Sequence, residues 1–209
     1  MGNVSGAGDL ASQLRASISD ERVLAAIASV PRERFVPGAQ LPRAYENTAL
    51  PIACNQTISQ PLVVARMLEL LELRPRDRVL DVGTGSGYHA VLLARLAGHV
   101  WSIERHAELA EQAQLTLAEL GVANVELYVG DGWEGLPEYA PYDAINVAAA
   151  TAERIPQALT DQLAVGGRLI APVGGAKQHL ILARRTAKGL RTTTLEPVRF
   201  VPLVRDSRA

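Results

Sequence analysis

A chain of 209 residues, 48% hydrophobic and 21% charged, carries enough apolar material for one sizeable core, so a single domain over 1–209 is expected. Lys plus Arg number 21 against 22 Asp plus Glu, a balance that sets up no strong field for nucleic-acid phosphates or an anionic membrane. The single cysteine, Cys54, excludes an internal disulfide, no Cys/His spacing points to a metal, and a reducing cytoplasm suits the composition.

The opening MGNVSGAGDLASQL lacks a positive stretch followed by a long apolar run, which predicts no signal peptide, and no segment approaches a membrane-spanning length. A myristoylation-like start at Met1 and Gly2 fails by one residue at Ser5. Residues 1–10 are rich in Gly and Ser and are expected to be loose. Ser19 reads as the N-cap of a helix with Asp20 and Glu21 in its first turn, an apolar stripe at Val23, Ile27 and Val30, and a stop at Pro31. The stretch from Pro31 to Pro61 holds five prolines with little periodicity and reads as an irregular arm or lid. Pro61 then suits the first turn of a helix that turns Val63, Val64, Met67, Leu68 and Leu71 to the core.

From Arg78 short apolar runs alternate with amphipathic stretches, the pattern of a parallel sheet flanked by helices. RVLDV, HVWSIE, NVELYV, DAINVAA and GRLIAPV are the expected strands, with helices near 87–97, 106–120 and 152–163. HLILARRT and LEPVRFVPLV, joined by a turn at Lys188 and Gly189, read as an antiparallel addition at the sheet edge. The expected fold is α/β and doubly wound, mostly parallel with helices on both faces. An N-terminal arm (1–77), a cofactor-binding core (78–175) and C-terminal strands (176–209) divide it.

VLDVGTGSGYHA is the most informative local signal: a buried strand, a loop of Gly83, Thr84, Gly85, Ser86 and Gly87, then a helix. Glycines admit backbone conformations closed to other residues, and a helix start offers free N–H groups, so a polar or negative ligand is expected there. A dinucleotide fold would need a small residue at position 88, where Tyr88 stands, and the GxGxG spacing resembles motif I of the class I methyltransferases. That resemblance implies that the loop holds the methionine end of S-adenosyl-L-methionine, with Asp81 placed to attract its ammonium. Glu104, ending the next strand, is positioned to accept the two ribose hydroxyls, and Asp131 with Gly132, after the third strand, to receive the adenine amino group.

RAYENTALPI, QTISQP, RVLDVGTGSGY, VWSIER, GDGWEGLPEYAPYDAI, VGGRLIAPVG and VRFVPLV together resemble the protein-L-isoaspartate O-methyltransferases from about residue 31 to residue 204. The resemblance implies a Rossmann-like class I methyltransferase that esterifies the free carboxylate of L-isoaspartyl residues in peptides and proteins and releases S-adenosyl-L-homocysteine, the ester then collapsing to a succinimide. It implies that Thr57, Ile58 and Ser59 lie beside the transferring methyl, with Ser59 as the active-site hydroxyl, and that backbone around Val201, Pro202 and Leu203 helps hold the substrate. Since an aspartyl-type carboxylate has a pKa of about 4, it needs no general base, and His89, His99, His106 and His179 are expected to be structural or surface residues.

The chain departs from the family pattern in three places. Ala53, Cys54 and Asn55 replace a glycine-containing loop, Leu62, Val63 and Val64 replace an aromatic or His and then Met, and Thr151 stands where Pro is common. Three rivals stay open at this point: a carboxyl methyltransferase with one dedicated aspartyl peptide, a nicotinamide oxidoreductase, and a binding module without turnover. No long apolar stripe is left over once the core is assigned, so a monomer is expected.

Overall fold

The computed structural model describes residues 6–205; the start pattern at Met1, Gly2 and Ser5 lies outside them. Strand β1 (Leu50–Pro51) pairs antiparallel with β2 (Thr57–Ile58) in the arm. The main sheet has seven strands in the order β5-β4-β3-β6-β7-β8-β9. Of these, β3 (Arg78–Val82), β4 (His99–Glu104), β5 (Val125–Val129), β6 (Tyr142–Val147) and β7 (Leu163–Val173) run parallel, and β8 (Gln178–Thr186) and β9 (Gly189–Val198) add antiparallel.

Side-chain alternation along the strands sorts two cores. Val79, Val100, Ala144 and Ile170 face one layer built from helices α1 (Ala7–Leu14), α2 (Glu21–Ser29), α3 (Pro61–Leu71), α4 (Tyr88–Leu96) and α5 (Ala107–Glu119). Leu80, Trp101, Ile145 and Leu169 face the other way, where the cover is Leu136 and Tyr139 from the segment after β5 and the short α6 (Gln157–Asp161). Helices therefore lie on both faces, but unequally.

Several local expectations shift. Residues from Ala7 onward are helical where a loose start was expected, because Leu10, Ala11 and Leu14 bury one face of α1. Asp20, not Ser19, caps α2, its side chain accepting from Arg22 N at 2.9 Å, while Ser19 gives its own N–H and hydroxyl to Glu69. The helix expected over 152–163 shrinks to five residues, since Ile155 precedes Pro156 and a residue before proline is driven out of the helical region. The last run splits as well. β9 starts at Gly189 and ends at Val198, and the chain then leaves the sheet and crosses the strand ends. The Gln178 amide brackets Phe200, accepting from its N–H at 2.7 Å and donating to its carbonyl at 3.2 Å.

Candidate active site

The order of the sheet reverses at β3, whose neighbours β4 and β6 run on in opposite directions through the chain. Crevices at the carboxyl ends of strands form at such points. Gly83, Gly85 and Gly87 fill this one with φ of 91°, 53° and 89°, values other residues rarely adopt. Gly83 N donates to Ile103 O at 2.9 Å and Gly87 N to Thr84 O at 2.9 Å, tying the loop to β4 and closing it on itself. At Gly87 a β-carbon would stand 3.2 Å from that of Ala113, so this glycine also sets how closely α4 approaches α5.

Glu104 is held rigidly: Oε2 accepts from Gly85 N at 2.9 Å and Oε1 from His106 N at 3.0 Å. Each oxygen keeps a further lone pair for the cleft that Glu104 lines. Gly132 lines the same cleft, and a β-carbon there would meet Val82 Cγ1 at 2.7 Å. Asp131 stands beside the cleft rather than in its lining, with Oδ1 accepting from Trp133 N at 2.9 Å.

Asp81 sits below the loop and is not among the residues that line the openings. It is 0% exposed, lying beneath α4 on the face that also carries Val79. Its Oδ2 accepts from Ser102 Oγ at 2.8 Å and its Oδ1 from Asn146 Nδ2 at 2.7 Å. Burial pushes the carboxyl up to about 6, against the pull of those two hydrogen bonds. Ser102, its proton committed to Asp81, accepts from the Thr84 hydroxyl 2.6 Å away. The acid thus braces the loop from below through Ser102 and Thr84.

The arm brings its residues to the same place. Thr57 and Ile58 form β2, and Ser59 follows. The fully buried Arg32 donates to the carbonyls of Ala44, Thr48 (3.2 Å) and Ser59 (3.1 Å), with its guanidinium 5.7 Å from the centroid of the Tyr88 ring. One side chain therefore ties the segment before the hairpin to the residue that follows it. In the turn between β1 and β2, Cys54 and Asn55 take φ of 55° and 56°, and Ala53 does not need a positive φ. The replaced glycine at Ala53 is thereby accommodated, and the strain falls on Cys54.

Three openings meet here. A cleft of about 120 Å³ runs between Gly83, Gly85, Glu104 and Gly132 on one side and Val201, Pro202 and Leu203 on the other. A cavity of about 40 Å³ lies between the loop (Gly83, Thr84, Gly85, Ser86) and Thr57, Ile58 and Ser59. A groove of about 730 Å³ passes Thr57, Ser59, Val63 and the segment from Pro197 to Val201. Thr57 and Ala148 line all three. Val201 sits at the junction, its carbonyl accepting from Ala150 N at 2.7 Å, whereas Pro202 and Leu203 line the cleft and not the groove. Val198, Arg199 and Phe200 form the groove wall instead.

This donor set fits a nucleoside carrying an amino-acid tail. A braced carboxylate suits vicinal hydroxyls, Ile103, Gly132 and Leu203 make an apolar slot for a flat base, and the glycine loop leads on to the small cavity. Among the described residues no cluster of three His, Cys, Asp or Glu is arranged to hold a metal. The model of the protein-L-isoaspartate(D-aspartate) O-methyltransferase family matches residues 7–208.

The chain belongs to that family. A protein-L-isoaspartate O-methyltransferase of Erwinia tasmaniensis is 53% identical over 201 residues, covering 96% of both chains, and one of Koribacter versatilis is 52% identical over 188 residues, covering 90% of this chain and 84% of its own. A Plasmodium falciparum structure described as a protein-L-isoaspartate O-methyltransferase in complex with S-adenosyl-L-homocysteine superposes with a TM-score of 0.85 at 26% identity, over 97% of this chain and all of that one. Lining residues to which the sequence motifs assigned no role include Gln56, Ile103, His106, Ala148 and Ala149. The two alanines close the DAINVAA run, and their place at the end of the fourth parallel strand was the available signal.

Proposed function

We infer that this protein transfers the methyl group of S-adenosyl-L-methionine to the free carboxylate of L-isoaspartyl residues in peptides and proteins. The observation that carries this reading is the meeting of cleft, cavity and groove at Thr57 and Ala148, with Ser59 on the groove side. The cofactor supplies an electrophilic methyl on a positive sulfur. Ser59, its carbonyl anchored by Arg32, orients a carboxylate that is already ionised, because aspartyl-type acids titrate near 4. Glu104 and the loop of Gly83 and Gly85 hold the donor on the far side of the junction. Displacement at carbon needs oxygen, carbon and sulfur in line, and such orientation is worth on the order of 7 kcal/mol or more. Asp131 flanks the base slot from outside its lining, and Val201 joins groove to cleft.

A peptide containing L-isoaspartate and its normal aspartyl twin, offered with radiolabelled cofactor, test the reading. Methyl transfer to the isoaspartyl form alone is expected; transfer confined to the aspartyl twin would favour a dedicated-substrate carboxyl methyltransferase. We further propose that the protein acts as a monomer, since its exposed large apolar residues (Leu41, Leu115, Val129, Val165, Leu190 and Val204) are scattered over different elements.

A further inference from the structure

The polar row beneath the cofactor loop ends in an unused donor. Asp81 is in register with Ser102 on β4 and with Asn146 on β6, so three strands contribute to one cross-strand row. A carboxylate accepts only, which means that the 2.7 Å contact between Asp81 and Asn146 runs from the amide nitrogen and fixes which way that amide faces. The same nitrogen lies 3.3 Å from His89 Nδ1. Nδ1 is then the acceptor, and the neutral ring must carry its proton on Nε2. Burial keeps the ring neutral, pushing its pKa down to about 3. Nε2 is buried and has no hydrogen-bond partner among the described residues. His89 itself is 6% exposed and lines the small cavity together with Thr57, Ser59, Thr84 and Ser86.

An unmatched buried donor is costly, about 1–3 kcal/mol, and points to an acceptor that arrives from outside. With the sugar of the cofactor at Glu104 and its sulfur near Thr57, the aminoacyl tail has this cavity as its terminus. Only one of the two charged groups on that tail accepts hydrogen bonds. We propose that His89 Nε2–H binds the α-carboxylate of the cofactor, in a tautomer that Asp81 imposes through Asn146. The assignment rests on the methyltransferase reading above, and it makes His89 a ligand-binding residue where the sequence suggested a structural one.

Calorimetric titration of wild type, His89→Leu and His89→Gln with S-adenosyl-L-homocysteine and with its decarboxylated analogue, which keeps the ammonium, tests it. His89→Leu is expected to weaken S-adenosyl-L-homocysteine about tenfold, the scale of a lost hydrogen bond to a charged group, and the analogue less than about twofold. His89→Gln, which retains a donor, is expected to recover most of the loss. Nitrogen-15 chemical shifts of the wild-type ring are expected to show protonation at Nε2, and this readout survives if the Leu variant fails to fold. Equal weakening of both ligands, no weakening of either (an enclosed water as the only partner), or protonation at Nδ1 would each overturn the proposal. Wild type that binds neither ligand would instead overturn the methyltransferase reading itself.

Discussion

Asp81 takes its two hydrogen bonds from a hydroxyl and an amide, and burial is the largest influence on it. Its pKa of about 6 in the folded protein stands above the ordinary 3.8. Between those values the native state holds more protons than the unfolded chain, so this group's contribution to stability is fully present below about pH 4 and is lost as pH rises through about 6. The difference in unfolding free energy between wild type and Asp81→Asn should therefore fall by on the order of 3 kcal/mol from pH 4 to pH 7, as read from urea midpoints. A flat difference would show that the acid is not perturbed. At Ser59 the expected signature is kinetic. Ser59→Ala should lower turnover on an isoaspartyl peptide while leaving the affinity for S-adenosyl-L-homocysteine within about twofold, because its hydroxyl is assigned to the incoming carboxylate on the groove side and Ser59 does not line the nucleoside cleft. A collapse of cofactor binding would count against that placement. Asp81 was legible as an important residue from its place before the loop, yet its role was not. Whether an acid at a strand end looks up into a crevice or down under a helix is decided by strand register.

At the scale of elements, the end of α3 is locked to the sheet by one buried cation. Arg168 on β7 donates to the carbonyls of Leu71 (2.7 Å), Glu72 (2.8 Å) and Asp143 (3.1 Å) and to Asp77 Oδ2 (2.7 Å). These groups include the last carbonyls of α3, which the helix cannot satisfy itself. Arg168→Met should cost about 3–5 kcal/mol, because it leaves Asp77 buried without its partner, and the double change with Asp77→Leu should cost less than the single one. Urea unfolding of the three proteins checks this; equal losses would mean that the ion pair itself is inert. The first four parallel strands and α3, α4 and α5 were legible within a residue or two, since a period of two or of 3.6 is written into the order of the side chains, whereas β7 begins at Leu163, four residues before the expected GRLIAPV run. The misread elements lie where that periodicity competes with another constraint. Pro156 truncates α6, and the apolar FVPLV run, strand-like by composition, crosses the strand ends and walls the crevice.

Taken whole, the molecule is a mostly parallel sheet whose reversal point is roofed by two segments distant in sequence, the arm around Thr57 and the crossing after Val198. A ligand bound across all three should stabilise the entire fold by mass action. S-adenosyl-L-homocysteine at about 100 times its Kd should add about 2.7 kcal/mol and raise the melting temperature by several degrees, while NAD should not; a shift with NAD instead would reopen the oxidoreductase reading. By itself the sequence determined the class of the fold, the position of the glycine loop and the family, because those depend on local chemistry: glycines at Gly83, Gly85 and Gly87, apolar alternation, and prolines that bracket the arm. The tertiary structure alone decided that Asp81 faces inward, that Arg32 anchors Ser59, and that His89 Nδ1 meets the Asn146 amide while its Nε2 is left without a partner among the described residues. Each of those depends on residues far apart in the chain being set side by side, and no pattern along one strand or helix carries the register that does so.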